Sequence, residues 1–447
     1  MVRRLGVGVA AAASLLALSA VQAYAAGGKL VIVTSYPPDL TDVFKAAFHE
    51  KHPAITLEVL NKGTSSGVQY LIETARNNQS DLFWASAPDA FEVLKVNDLL
   101  SRYISPIGNI ASDVNGYPIN DPDGYYSGFA VSGYGFMWND RYMDAYNLPI
   151  PREWGDLEKP VYHGHIGLSA PSRSGTTHLT IETILQGQGW KRGWETLKYI
   201  GGNAKIITER SFGVPDGVNS GDFGLGLVID FFGFSSKASG FPVAFRYPSV
   251  TALVPANIGV VANAPHEKSA HEFIDFLLSD TGQKLLFNPK IMRLPVNKAA
   301  YENAPKGLPN PFNGSIKPEV KFDTDISKRR YNVVNSLFDV MITYRLDELQ
   351  TATAAIEKAE AALAENKNPK PEALKLLEEA KALLRKLPVD EAGALDPDFN
   401  AIFKTKRKKK SVKVKGRQAE IEQKWDAQIV KNYRDAAELA NKARMML

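Results

Sequence analysis

Between Lys29 and Asn97 the apolar period of the chain alternates between strand and helix, and this alternation constrains the fold more than any other feature. Leu30-Val31-Ile32-Val33 is an unbroken apolar run, the pattern of a strand buried on both faces. Leu40 to His52 then sets Val43, Phe44, Ala47 and Phe48 on one helical face. Ile55 to Val59 and Asp81 to Ala85 repeat the strand signal, while Val68 to Asn77 and Ala87 to Asn97 repeat the helix. Strands and helices in strict turn predict an α/β sheet with right-handed crossovers.

Tyr125 to Trp138 breaks the rhythm with glycine and aromatics and reads as strands crossing between lobes. A second α/β set follows, with strands near Ile166 to Leu168, Lys205 to Ile207 and Gly224 to Ile229. After Pro255 the chain returns to the first lobe, with Asn257 to Val261 as a strand and Lys268 to Leu286 as a helix. A lobe interrupted and resumed leaves two or more crossings, which make a hinge. The 447 residues exceed one ordinary core, and they divide as 26–130 with 255–345 for the first lobe and 131–254 for the second. Beyond Arg345, Ala, Glu, Lys and Leu dominate. Three amphipathic stripes there predict an appended helical segment over 346–447. Its run Lys404 to Arg417 holds nine basic residues and reads as a solvated loop between two helices, with docking to a membrane face or a transporter subunit as the second reading.

The first residues predict export. Met1 to Arg4 is basic, Leu5 to Ala20 is apolar, and Ala23-Tyr24-Ala25 supplies small residues, the layout of a signal peptide over 1–25 cleaved near Ala25. The chain has no cysteine, which rules out disulfides, thiolate metal sites and a lipid on an N-terminal cysteine. A diffusible periplasmic protein is expected. The formal net charge of +4 says little about partners, and an exported chain whose basic run lacks interleaved aromatics is not expected to bind nucleic acid.

Two clusters carry the chemistry. Gly63-Thr64-Ser65-Ser66-Gly67 and Ser172-Arg173-Ser174-Gly175-Thr176-Thr177 each sit where a strand or loop hands over to a helix. Each offers backbone N–H groups, hydroxyls and the positive end of a helix dipole, a combination that suits an anion. Together they predict a small anionic ligand gripped from both sides of a cleft. Ser35, Tyr36 and Ser86 follow the first and third strands, at the carboxyl ends where open α/β sheets bind ligands. Arg210-Ser211 follows another strand, and Arg210 would add charge-assisted bonds. The first cluster also matches G-x-S-x-G, which leaves a serine hydrolase with Ser65 as nucleophile as an alternative. His163-Gly164-His165 has no acidic or further histidine partner nearby and is not expected to bind metal. Arg293 is read as structurally paired.

Asp81-Leu82-Phe83-Trp84, Ala170 to Thr176, Gly221-Asp222 leading to Gly226-Leu227-Val228-Ile229-Asp230, and Ser279 to Leu286 occur in that order. Over Lys29 to Tyr344 the chain thereby resembles the bacterial extracellular solute-binding proteins that serve ABC importers, most nearly the ferric-ion, phosphonate and phosphosugar branch. The resemblance implies a type II, two-lobed Venus-flytrap fold that closes on its ligand and delivers it to permease subunits in the inner membrane. Ferric members hold iron with adjacent tyrosines just after the Gly-Leu-Val-Ile segment. Here Phe231-Phe232 stands there and offers no phenolate, so an organic anion such as a sugar phosphate or phosphonate is expected rather than a metal. Asp230 is expected to accept hydrogen bonds from ligand hydroxyl or amino groups. The expected ligand contacts are Ser35, Tyr36, Thr64, Ser65, Ser66, Ser86, Ser174, Gly175, Thr176, Thr177, Arg210, Ser211 and Asp230, with no cofactor and no catalysis. Ferric binding remains an alternative. So does a sensory role of the phosphoglycerate-regulation type, in which the protein reports to a membrane sensor kinase.

Overall fold

The computed structural model describes residues 28–403 and 414–447. The expected signal peptide and most of the basic run, 404–413, lie outside the described residues. Strand β1 (Lys29–Thr34) is buried from Leu30 onward. Helix α1 (Pro38–Lys51) starts on a proline at its first turn and buries Leu40, Phe44 and Phe48, one residue per turn. Then come β2 (Thr56–Asn61), α2 (Thr64–Thr74), β3 (Leu82–Ala85) and α3 (Pro88–Lys95). β1 lies between β2 and β3 and is parallel to both, as the alternating pattern predicts.

The glycine- and aromatic-rich stretch is one 13-residue strand, β4 (Ser127–Asn139), buried throughout. The second lobe adds β5 (Ile166–Ser169), α4 (Gly175–Gln188), α5 (Trp190–Asn203), β6 (Ala204–Thr208), β7 (Leu225–Ile229), α6 (Asp230–Ala238) and β8 (Val243–Arg246). The chain then returns through β9 (Leu253–Val261), giving the mixed order β2-β1-β3-β9-β4-β7-β5-β6. The first half of β4 pairs with β9, from Ile258 opposite Ser127 to Leu253 opposite Gly133. Its second half pairs with β7, from Ile229 opposite Tyr134 to Leu225 opposite Trp138. One strand thus serves both lobes, and the β8-to-β9 segment runs back antiparallel beside it. The helix expected over Lys268 to Leu286 is two, α7 (Glu267–Leu278) and a short turn Asp280–Leu285. Ser279 divides them, its Oγ accepting from the Gly282 N–H at 3.3 Å as an N-cap.

A third crossing leads into α8 (Thr324–Phe338), with Glu319 and Val320 bonded to the backbone of Ser249 and Thr251. One turn of π-helix, Asp339–Thr343, joins α8 to α9 (Leu346–Glu365), α10 (Pro371–Arg385) and α11 (Gly416–Met446). Residues 324–345, assigned from sequence to the first lobe, contribute Val333, Val334, Leu337 and Phe338 to the core of the second. The three helices that follow are not a separate bundle. Trp194, Leu197 and Ile200 of α5 share a single core with Leu349 and Ile356 of α9 and with Ile429 and Tyr433 of α11. Gly202 permits the approach, since a Cβ there would lie 2.1 Å from Thr353 Oγ1. Among the described residues no helix is long and apolar enough to cross a membrane.

Candidate functional site

The two clusters meet. α2 begins at Thr64, four residues before the expected Val68, and its N-cap Gly63 has no side chain to occupy the first N–H groups. On the other side Ser174 caps α4, its Oγ accepting from the Thr177 N–H at 3.2 Å. A Cβ on Gly63 would stand 2.9 Å from the Arg173 carbonyl, and one on Gly175 would stand 2.8 Å from Thr64 Oγ1. Glycine at both positions lets the two helix N-termini close face to face.

Ser35, Tyr36, Thr64 and Ser86 of the first lobe line the pocket between the clusters, with Ser174, Thr176, Arg210 and Ser211 of the second. Eight of the residues expected from sequence are therefore brought together. Arg173, Phe212, Phe231 and Phe232 join them. The gap holds only about 20 Å³, room for one water. Pro37, Phe212, Phe231 and Phe232 also border a neighbouring cavity of about 650 Å³, lined further by Asp39, Asp216, Asn219 and Lys290.

The charged side chains that line the pocket are both cationic. Arg173 is largely buried and bonds Glu209 at 3.3 Å, but Glu209 is itself exposed. Arg210 is half-buried over the Phe212 ring at 5.1 Å, and burial pulls its pKa down. Among the described residues no carboxylate lines the pocket. Tyr36 accepts from Ser86 Oγ at 2.8 Å, and burial raises its phenol pKa against the opposing pull of Arg293, so it remains a neutral donor. Such a site offers hydroxyls, guanidinium groups and helix N-termini, and it suits an oxyanion.

Five expected residues do not line this pocket. Ser65 is buried and turned outward, 2.6 Å from Tyr331 Oη on α8. Among the described residues the hydrogen bond of its hydroxyl goes to this phenol and not to a histidine. Ser66 is exposed. Gly175 packs on Thr64, and the Thr177 hydroxyl bonds that of Ser169 behind the pocket. Asp230 is a hinge anchor. Its carboxylate accepts from the Gly133 N–H on β4, from its neighbour Phe231 N–H and from Tyr247 Oη on the return crossing, each at 2.7 Å. Arg293 was expected to be paired, but it makes no ion pair among the described residues. Sequence reasoning passed over Arg173 although it sits inside the cluster, because a strand-to-helix signal does not say which side chains turn inward. The described residues contain no group of three or more His, Cys, Asp or Glu able to hold a metal.

Burial pushes the Asp230 carboxyl up to about 6, against the lowering effect of its three donors. Unfolded, it would titrate near 3.9. Between these values the folded chain keeps a proton that the unfolded chain has released. The group's contribution is therefore full below about pH 4 and is lost as pH rises through 6. Relative to Asp230→Asn, the wild-type protein is expected to lose up to about 3 kcal/mol between pH 4 and 7. Urea denaturation of both proteins across that range checks this, and a slope of the opposite sign would refute it.

A family model described as bacterial extracellular solute-binding protein matches residues 80–313. The phosphoglycerate transport regulatory protein PgtC of Salmonella typhimurium is 31% identical over 386 residues, covering 85% of this chain and 90% of its own length. The fold is similar to that of the periplasmic binding protein AfuA from Actinobacillus pleuropneumoniae with exogenous fructose-6-phosphate bound, at a TM-score of 0.64 and 20% identity over 71% of this chain and 99% of that one. Iron-bound HitA from Pseudomonas aeruginosa is also similar, at a TM-score of 0.53 and 16% identity over 65% of this chain and 90% of that one. With a matching family model over residues 80–313 and a relative at 31% identity matched over most of its length, the chain belongs to the bacterial extracellular solute-binding proteins.

Proposed function

We propose that the protein is the periplasmic binding component of an ABC importer. It captures a small phosphorylated or phosphonate organic anion between its lobes and hands it to the permease in the inner membrane, without catalysis or cofactor. The observation that carries this reading is a pocket with Arg173, Arg210 and hydroxyls from both lobes and, among the described residues, no carboxylate. Closure excludes water and strengthens each donor bond. The adjoining cavity of about 650 Å³ leaves space for the ligand's carbon skeleton once the jaws part. Relatives named for phosphoglycerate transport regulation and for a bound fructose-6-phosphate support a phosphate-bearing ligand. Ferric ion fits less well, since Phe231 and Phe232 border the pocket and its one phenol, Tyr36, is neutral.

A second reading is favoured by the 31% identity to a transport regulatory protein. In it the closed form reports to a membrane sensor kinase rather than to a permease. Both readings share the ligand. The expected result is a rise in melting temperature with one member of a panel of phosphoglycerates, phosphosugars and phosphonates, equivalent to about 2.7 kcal/mol at a hundred times Kd. A response to ferric salts alone, or to no member of the panel, would overturn the reading.

A further inference from the structure

Arg293 lies fully buried beneath the pocket. Its Nε and Nη2 have no acceptor, and Nη1 donates to Ser86 Oγ at 3.1 Å. The guanidinium carbon stands 4.5 Å from the centre of the Tyr36 ring and 3.6 Å from that of Phe231. Asp230 and Tyr134 are the other ionisable groups whose fields reach it. Asp230 acts on it only through its field and makes no ion pair with it, so a buried cation held by ring faces and a single hydroxyl is stabilised further when an anion arrives.

Counting donors shows where that charge is directed. A guanidinium only donates, so Ser86 Oγ accepts from Arg293, and its one O–H goes to Tyr36 Oη 2.8 Å away. Tyr36 then keeps its own O–H: among the described residues the hydrogen bond made by its hydroxyl is the one from Ser86, and Arg293 acts on it through its charge. Tyr36 and Ser86 both line the pocket.

We propose that Arg293, Ser86 and Tyr36 form a one-way donor relay that carries a buried positive charge to the ligand through the Tyr36 hydroxyl. The relay selects doubly charged phosphate or phosphonate groups over singly charged anions of the same shape. This inference rests on the anion-binding reading above. Each bond in such a chain polarises the next, and the low dielectric beneath the pocket leaves the charge poorly screened. Arg293 is a positioning residue, since it acts through the two hydroxyls.

The test is calorimetric titration of the full chain with glycerol 3-phosphate and with its isosteric sulfate ester. At about pH 8 the first is a dianion and the second a monoanion. The readout is the ratio of the two dissociation constants. Arg293→Met, Ser86→Ala and Tyr36→Phe are each expected to reduce the preference for phosphate about tenfold, while Arg293→Lys, which keeps the charge, retains most of it. Tyr36→Phe added to Arg293→Met should change the ratio little further, since both cut one chain. A merely structural Arg293 would weaken both probes alike, and an unchanged ratio in the variants overturns the relay alone. Wild-type protein that binds neither probe overturns the anion-binding reading and the relay with it. Ser86→Ala removes a single hydroxyl and carries the test should Arg293→Met not fold.

Discussion

Replacing Arg173 with methionine is expected to weaken ligand binding by about 2–4 kcal/mol, roughly 30- to 1,000-fold in Kd. The side chain is only 15% exposed, and its Nε has no hydrogen-bond partner. Its ion pair at 3.3 Å is to Glu209, which sits in solvent and adds little. Methionine keeps the length of the stem, so the loss reports the guanidinium rather than a cavity. Arg210 is more exposed, and Arg210→Met is expected to have the smaller effect. Calorimetry with the panel member that stabilises the protein most measures both. A loss below about threefold for Arg173→Met would place the anion elsewhere.

The second large effect is on stability. Glu182→Ala is expected to destabilise the fold by about 3–5 kcal/mol, because it leaves a buried cation with only the half-exposed Glu391 as counter-ion. Arg330 on α8 donates to Glu182 on α4 through Nε at 3.0 Å and Nη2 at 2.9 Å, with both side chains essentially inaccessible. Its Nη1 reaches Glu391 at 2.6 Å, and the guanidinium lies 5.1 Å over the Trp190 ring. The pair therefore fastens the second lobe to the chain that continues into the C-terminal helices. Removing both charges with Glu182→Leu and Arg330→Met should be far milder than either single change, since no charge is left stranded. Urea denaturation of the singles and the double tests this. A single variant within about 0.5 kcal/mol of wild type would show the pair to be dispensable.

Periodicity made the α/β layers legible because Leu30 to Val33 and the Phe44/Phe48 face are local patterns. The long strand was legible from its composition, and the position of both clusters at helix starts from their strand-to-helix handovers. What escaped depends on partners distant in sequence. Ser65 and Ser66 look alike in the sequence, yet one meets Tyr331 across 266 positions and the other faces solvent. Asp230 resembled a ligand contact until the Gly133 N–H, 97 positions away, occupied it. An amphipathic stripe declares that a helix has an apolar face but not what covers it. For this reason α9 to α11 read as an appendage although they complete the second lobe's core.

That shared core makes the two jaws unequal. With α9 to α11 sharing its core, the second lobe is the heavier body, and the first is light by comparison. Closure on a ligand would then be less a symmetrical bite than a hammer falling on an anvil. A partner that grips the C-terminal helices would hold the anvil still and feel the stroke through α8, which bonds to Ser65 and Asp89 of the hammer and to His178 of the anvil.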